Sequence, residues 1–363
     1  MRRLIICCDG TWNTAEAKTI TNVTYMARAV APTAFDGTTQ VVFYDPGVGT
    51  GNLLDRVSGG AFGDGLDQNI VDAFRFLVYN YSPGDEVFFF GFSRGAYTAR
   101  SAVGMIRKCG LLQKRHADRV DDAYELYRKR DESPDGDAAT KFRADFSSPP
   151  FDIDFLGVWD TVGALGIPLT GFRWFTRRDD QFHDTKLSRM VKRAFHAVAV
   201  DERRGPFAPT LWEKQPDPTQ IVEQAWFAGV HADVGGGYED RTLANITFQW
   251  MAKRAYDAGL EFDHLYLEQE LGVNLAKPAV VDDASYKGAL HNSLTGIYLG
   301  LPRYVRTIGQ DSSHCESVWH TTKRRADEAV AGYPPQNLSE YLKRADRAIA
   351  GPDTVAPVAG VPR

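Results

Sequence analysis

The sequence lacks a strong charge of either sign. Its 363 residues include 42 Lys and Arg against 47 Asp and Glu, which gives a formal net charge of −5 at pH 7. Proteins that bind nucleic acid present a basic surface to the phosphate backbone. We therefore expect no DNA or RNA partner, and the hydrophobic fraction of 43% is that of an ordinary globular protein.

Cysteine is also scarce. The four cysteines are Cys7, Cys8, Cys109 and Cys315, and no two of them have the spacing of metal ligands. Two adjacent cysteines on one apparent strand do not indicate a disulfide framework. We expect reduced thiols, no structural metal and a cytoplasmic location.

No apolar run approaches the roughly 18 residues that a membrane-spanning helix needs. The first nine residues contain two arginines and then an apolar run that is too short for a signal peptide. We expect this segment to form a first β-strand. Any membrane contact would then be peripheral, and any export would use a signal-less route.

Motifs for nucleotide and phosphoryl chemistry are missing. The glycine-rich stretch 47–65 contains neither a G-x-x-x-x-G-K-[ST] motif nor a convincing G-x-G-x-x-G motif. The segment Cys-Cys-Asp-Gly-Thr at 7–11 resembles the strand end of haloacid-dehalogenase-type phosphatases, but Cys7 stands where their phosphoryl-accepting aspartate would be. We expect no cofactor.

The hydrophobic pattern predicts a mostly parallel sheet with helices on both faces. Short apolar runs without alternation are typical of strands that are buried on both faces. Predicted strands cover 4–8, 41–44, 86–90, 151–159, 194–200 and 223–230, and predicted helices cover 67–81, 117–130, 242–258 and 338–349, with a further small-residue helix after residue 93. The interpretation is one α/β-hydrolase-like domain at 1–350, followed by a disordered tail at 351–363.

A serine in a sharp turn is the strongest catalytic signal. Residues 91–95 read Gly-Phe-Ser-Arg-Gly, which matches the G-x-S-x-G nucleophile elbow between a buried strand and a helix. Ser93 is therefore the predicted nucleophile. The structural alternative is that Ser93 only caps the following helix.

A serine hydroxyl needs a base, and the base needs an acid to orient it. His231 follows an apolar run and opens a glycine-rich loop, and Asp160 follows an earlier strand, so both are predicted to lie at the carboxyl edge of the sheet. His196, inside an apolar strand, is better explained as a core histidine. Asp233 and Asp201 remain alternatives for the acid.

Catalysis by serine also needs donors for the developing oxyanion. The backbone N–H of Arg94, directly after the nucleophile, is one predicted donor. The loop at Gly10 and Thr11 is predicted to supply the other. A helix cap or loop brace is at least as good an explanation for Asp9 as a direct catalytic role.

Five ordered segments together resemble a known family. They are Cys-Asp-Gly-Thr-Trp-Asn at 8–13, Gly-Phe-Ser-Arg-Gly-Ala at 91–96, Val-Trp-Asp-Thr-Val at 158–162, Asp-Glu-Arg-Arg at 201–204 and Gly-Val-His-Ala-Asp-Val-Gly-Gly-Gly-Tyr at 229–238. Over about residues 1–345 the chain resembles the α/β-hydrolase domain family that includes the type VI secretion lipase effectors. The resemblance implies a phospholipase-like enzyme with a Ser-Asp-His triad on Ser93, Asp160 and His231. The family often has His-Pro-Ser-Val near the C-terminal end, where this chain has Cys-Glu-Ser-Val at 315–318.

A segment rich in aromatic and basic residues follows Asp160. The segment 167–178 mixes Phe172, Trp174 and Phe175 with three arginines, a composition that suits a lipid–water interface. These aromatic residues are predicted to bind an ester or lipid substrate, within a candidate lid at 165–190. The alternative is a surface loop whose arginines lie over a small apolar cluster.

Three functions therefore compete. The first is a serine esterase or lipase that works by acyl transfer. The second is a non-catalytic binding module of the same fold. The third is a metal-dependent phosphoesterase with Asp9, His231 and Asp233 as its ligands.

Overall fold

The structure is a computed structural model that describes residues 1–10, 18–47, 61–163, 187–213, 217, 219–277, 279–300, 303–309 and 315–352. Thr11, the substrate-binding candidates Phe172, Trp174 and Phe175, and most of the candidate lid and of the tail lie outside these residues. Among the described residues, no helix is both long and apolar enough to cross a membrane.

One sheet of eight strands organises the described chain. Its strand order is β2-β1-β3-β4-β5-β6-β7-β8, and every neighbouring pair is parallel. The strands are β1 (Arg2–Cys8), β2 (Thr39–Asp45), β3 (Glu86–Phe92), β4 (Phe155–Trp159), β5 (Arg193–Ala199), β6 (Ile221–Phe227), β7 (Glu316–Trp319) and β8 (Ile349–Ala350).

Helices cover both faces of this sheet. They are α1 (Asn22–Ala29), α2 (Ala61–Asn80), α3 (Arg94–Cys109), α4 (Val120–Arg128), α5 (Asp137–Phe146), α6 (His231–Gly235), α7 (Thr242–Asp257), α8 (His264–Leu271), α9 (Ala279–Ser285), α10 (His320–Asp327) and α11 (Gln336–Leu342). Alternate residues of β1 enter different cores: Ile5 and Cys7 pack with α1 and α7, whereas Leu4 and Ile6 pack with α2 and α3. The prediction of an α/β fold with a mostly parallel sheet is confirmed, and burial on both sides explains why its strands do not alternate.

The C-terminal part of the chain differs from the prediction. The helix predicted at 338–349 is wrong in its second half: α11 ends at Leu342, and Ile349 pairs with Val318 as part of β8. Between α11 and β8, the side chain of Arg344 forms an ion pair with Asp346. The charged residues that suggested a continuing helix therefore lie in a turn. The segment 315–318, which differs from the His-Pro-Ser-Val of the family, contributes most of β7. This strand was not predicted.

Candidate active site

Ser93 occupies a strained turn between β3 and α3. Its backbone has φ 58° and ψ −120°, outside the region that residues with side chains favour. Its side chain makes no capping bond to α3, so the capping alternative is wrong. Instead, its hydroxyl oxygen lies 2.8 Å from Nε2 of His231.

The two glycines of the motif make this turn possible. A Cβ atom on Gly91 would lie 2.5 Å from the carbonyl oxygen of Gly95. A Cβ atom on Gly95 would lie 2.1 Å from the carbonyl oxygen of Cys8, at the end of the neighbouring strand β1. Both positions must therefore lack a side chain for the start of α3 to pack so closely against the sheet.

His231 is the first residue of α6, the helix that follows β6 in the chain. Its Nδ1 lies 2.5 Å from Oδ2 of Asp160, and its ring packs between Phe92 and Phe207, at centroid distances of 4.6 and 4.9 Å. Burial lowers the pKa of His231 below its ordinary value, although Asp160 opposes this shift. The lowered pKa favours the neutral imidazole, and these distances suit the tautomer in which Nδ1–H donates to the carboxylate and Nε2 accepts from the hydroxyl of Ser93.

Asp160 follows β4 and is fully buried in a left-handed turn, with φ 40°. Its Oδ1 accepts the N–H of Ala199 at 2.9 Å, and Arg306 donates to its two oxygens at 2.6 and 3.0 Å. Burial alone would raise the pKa of Asp160. The charge of Arg306 and the hydrogen bond from His231 outweigh it and hold the pKa well below its ordinary range.

Sequence reasoning missed Arg306. It is a fully buried residue in an irregular segment, and it also donates to the carbonyl oxygens of Ala199 and Phe207 at 2.7 and 2.6 Å. The guanidinium thus connects the acid to the end of β5 and to the loop that carries Phe207. No motif surrounds Arg306, so nothing in the sequence marked it.

Glu202 was also missed as a site residue, although it belongs to the Asp-Glu-Arg-Arg segment. Its buried carboxylate accepts the backbone N–H of His231 at 3.2 Å and the hydroxyl of Ser293 at 3.0 Å. It also pairs with Nε and Nη2 of Arg204, each at 2.9 Å. The guanidinium carbon of Arg204 in turn lies 3.5 Å from the centroid of the Phe207 ring. Glu202 therefore contacts the backbone of His231 directly and, through Arg204, the Phe207 ring that packs against it.

The rival residues have other partners. Asp233 pairs with Nδ1 of His291 at 2.5 Å and accepts the N–H of Val230. Its carboxylate is therefore engaged by these groups, whereas Nδ1 of His231 is bonded to Asp160. His196 is a core residue, as predicted: its Nε2 accepts the N–H of Thr161, and burial is the main reason that its pKa falls to about 3. Asp201 accepts the N–H of Gly229.

The loop after β1 is arranged around Asp9. Its buried carboxylate accepts hydrogen bonds from the hydroxyls of Thr21, Thr24 and Tyr44, at 2.7 to 2.9 Å. It also accepts the N–H of Gly10 at 2.6 Å. Asp9 therefore braces the start of α1, and the amide of Gly10 already has an acceptor.

The three ligands of the metal hypothesis form no metal-binding cluster in the described part of the chain. Asp9, His231 and Asp233 bond to different partners, as described above. The described residues contain no group of three or more His, Cys, Asp or Glu side chains that could hold a metal ion. All four cysteines are free thiols.

Comparison with known proteins gives one family match and one curated relative. The model of the family described as the catalytic domain of Tle1-like type VI secretion phospholipase effectors matches residues 2–254. The uncharacterised protein YEL023C of Saccharomyces cerevisiae is 31% identical over 241 residues, which cover 59% of this chain and 33% of the yeast protein. The chain thus spans about a third of the length of that curated relative.

Two solved structures are similar at lower identity. The Tle1 effector bound to the VgrG spike of the type VI secretion system has 16% identity and a TM-score of 0.46, over 88% of this chain and 85% of that one. An uncharacterised protein from Pseudomonas aeruginosa has 17% identity and a TM-score of 0.44, over 94% of this chain and 61% of that one.

Proposed function

Since the chain belongs to the Tle1-like phospholipase effector family of type VI secretion, we propose that it is a serine hydrolase that cleaves carboxylic esters of phospholipids. One observation carries the proposal: Ser93, His231 and Asp160 form an unbroken series of hydrogen bonds, with distances of 2.8 and 2.5 Å. In this series an imidazole can take the proton of the serine as the hydroxyl oxygen attacks an ester carbonyl.

The protonation states suit this chemistry. Burial lowers the pKa of His231, which favours the neutral imidazole at pH 7. Arg306 lowers the pKa of Asp160, which favours the ionised carboxylate. When His231 accepts the proton of Ser93, the resulting imidazolium lies against a carboxylate that is already charged. His231 then returns the proton to the leaving alcohol, and in the second half-reaction it activates the water that hydrolyses the acyl-enzyme.

The oxyanion donors are also part of the proposal. The backbone N–H of Arg94, the first residue of α3, directly follows the nucleophile and is the first proposed donor. Of the two residues predicted for the second donor, Gly10 has its amide bonded to Asp9, which favours Thr11.

Contact with aggregated lipid is proposed for the aromatic and basic segment. Phe172, Trp174 and Phe175 would enter the acyl boundary while the neighbouring arginines meet phosphate groups. This contact would be peripheral. The cytoplasmic location inferred from the reduced cysteines also stays a prediction, and fractionation of the producing cell tests it.

A labelling experiment tests the nucleophile. A fluorophosphonate probe is expected to label the wild type and a Ser133→Ala control, which changes an exposed serine, but not Ser93→Ala. Hydrolysis of short-chain esters should follow the same pattern and should persist in the presence of a chelator. Absence of both labelling and hydrolysis in the wild type would favour the binding module, and loss with chelator would favour the phosphoesterase.

A further inference from the structure

Arg94 has a side chain that the proposed reaction does not use. In the part of the chain that the structure describes, no hydrogen bond or ion pair engages its guanidinium, and the side chain, which belongs to the residue directly after the nucleophile, is partly exposed. Three other arginines near the sheet have a carboxylate partner: Arg306 pairs with Asp160, Arg204 with Glu202 and Arg254 with Glu223. Among the described residues, the guanidinium of Arg94 has no such partner.

The surroundings of Arg94 include residues that pack beside the proposed site. Tyr298 lies within electrostatic range of its guanidinium. The ring of Tyr298 is 5.9 Å from that of Phe207, which packs against His231, and 5.0 Å from the guanidinium carbon of Arg204. Two arginines therefore flank one tyrosine beside the histidine.

Only one of these two cations is neutralised. Arg204 uses Nε and Nη2 for Glu202, whereas Arg94 has no carboxylate partner among the described residues. Burial lowers the pKa of Arg94 to about 10, so it remains charged at neutral pH. A partly exposed guanidinium that has no partner in the described residues can donate charge-assisted hydrogen bonds to an anion that enters from solvent.

We propose that the Arg94 guanidinium, with the hydroxyl of Tyr298, binds the phosphate of the substrate and so selects phospholipids over neutral glycerides. The inference rests on the proposed ester hydrolysis at Ser93. In a glycerophospholipid the phosphate is attached to the glycerol carbon next to an ester-bearing one, so a cation adjacent to the nucleophile is suitably placed. A neutral glyceride has no charge there for the arginine to bind.

Kinetics with monomeric substrates tests this selectivity. We would measure kcat/KM for dihexanoylphosphatidylcholine and for dihexanoylglycerol, both below their aggregation limits, and compare the ratio between variants. Arg94→Met should lower the ratio of phospholipid to glyceride by about 10- to 100-fold, the factor that one charge-assisted hydrogen bond supplies. The loss should fall mainly on KM, and Arg94→Lys should recover part of it because it keeps the charge.

A matched control comes from the same helix. Arg107 lies near the other end of α3 and pairs with Asp135 in solvent, so Arg107→Met should leave the ratio unchanged. An unchanged ratio in Arg94→Met, or a wild type that prefers the glyceride, would overturn the proposal while leaving ester hydrolysis at Ser93 intact.

Equilibrium binding gives a second readout that does not need turnover. In the Ser93→Ala background, glycerophosphocholine should bind, and the added Arg94→Met change should weaken that binding at least about tenfold. If inorganic phosphate binds as tightly as glycerophosphocholine, the site is one for free phosphate and the substrate assignment fails. Because this assay is independent of catalysis, it separates failure of the arginine proposal from failure of the proposed hydrolase.

Discussion

Replacing Arg306 by methionine tests the electrostatic basis of the proposed triad. The guanidinium donates four hydrogen bonds, two to Asp160 and one each to the carbonyl oxygens of Ala199 and Phe207. Methionine has a similar length but no donor, so the change leaves a buried carboxylate without its cation. Breaking a buried ion pair in this way typically costs about 3–5 kcal/mol of folding free energy, and we expect a loss of that size.

The pH dependence of this loss has a defined sign. In the wild type, the pKa of Asp160 lies below its ordinary value of 3.8. Its ionisation therefore contributes stability that is fully present above that value and is lost as the pH falls towards the folded-state pKa. Without Arg306 the folded-state pKa rises, so the difference in unfolding free energy between variant and wild type should be largest near pH 7 and should shrink in acid.

Two assays measure these effects. Urea unfolding at neutral and acidic pH gives the stability difference. The pH profile of kcat/KM should show a lower plateau and an acid limb moved to higher pH, because a protonated Asp160 cannot stabilise the imidazolium. Arg306→Lys should fall between the two, and Arg303→Met, at an exposed position in the same segment, should behave as wild type. A wild-type acid limb in Arg306→Met, with stability within about 1 kcal/mol, would refute this reasoning.

Three further perturbations follow from the site and the sequence. Asp160→Asn should lower turnover by about 10⁴, as the comparable change does in a serine protease, whereas Asp233→Asn should stay within about tenfold; the reverse order in steady-state kinetics would move the acid to Asp233. Gly95→Ala should destabilise the fold by about 1–3 kcal/mol or more in urea unfolding, because its Cβ would meet the backbone of β1, and wild-type stability would contradict the crowding at the turn. Trp174→Ala should reduce hydrolysis of aggregated lipid more than that of a short soluble ester, and equal losses would indicate a structural segment.

The proximity of the candidate residues was predictable because the sheet is parallel. Ser93, Asp160 and His231 each follow a strand that the hydrophobic pattern identifies, and the carboxyl ends of parallel strands share one edge. A local pattern was therefore sufficient to place three residues that are far apart in the chain.

The contacts of Arg306 and the last two strands were not predictable in the same way. Arg306 lies in an irregular segment, and its partner Asp160 is 146 residues away, so no local periodicity reports their pairing. β7 and β8 contain only four and two residues, too few for an apolar pattern to be recognised. Their positions depend on the neighbouring strand β6 rather than on their own sequence.

The pairing of Asp160 with Arg306 also sets an order of events during biosynthesis. At about 5–20 residues per second, the ribosome needs roughly 7 to 30 s to add the 146 residues between them. Between the addition of His231 and that of Arg306, the nascent chain holds Ser93, Asp160 and His231 without the guanidinium that compensates the acid. A fragment that stops at residue 254, where the family match ends, would lack this guanidinium, so the full activity proposed for the site should appear only after translation has passed Arg306.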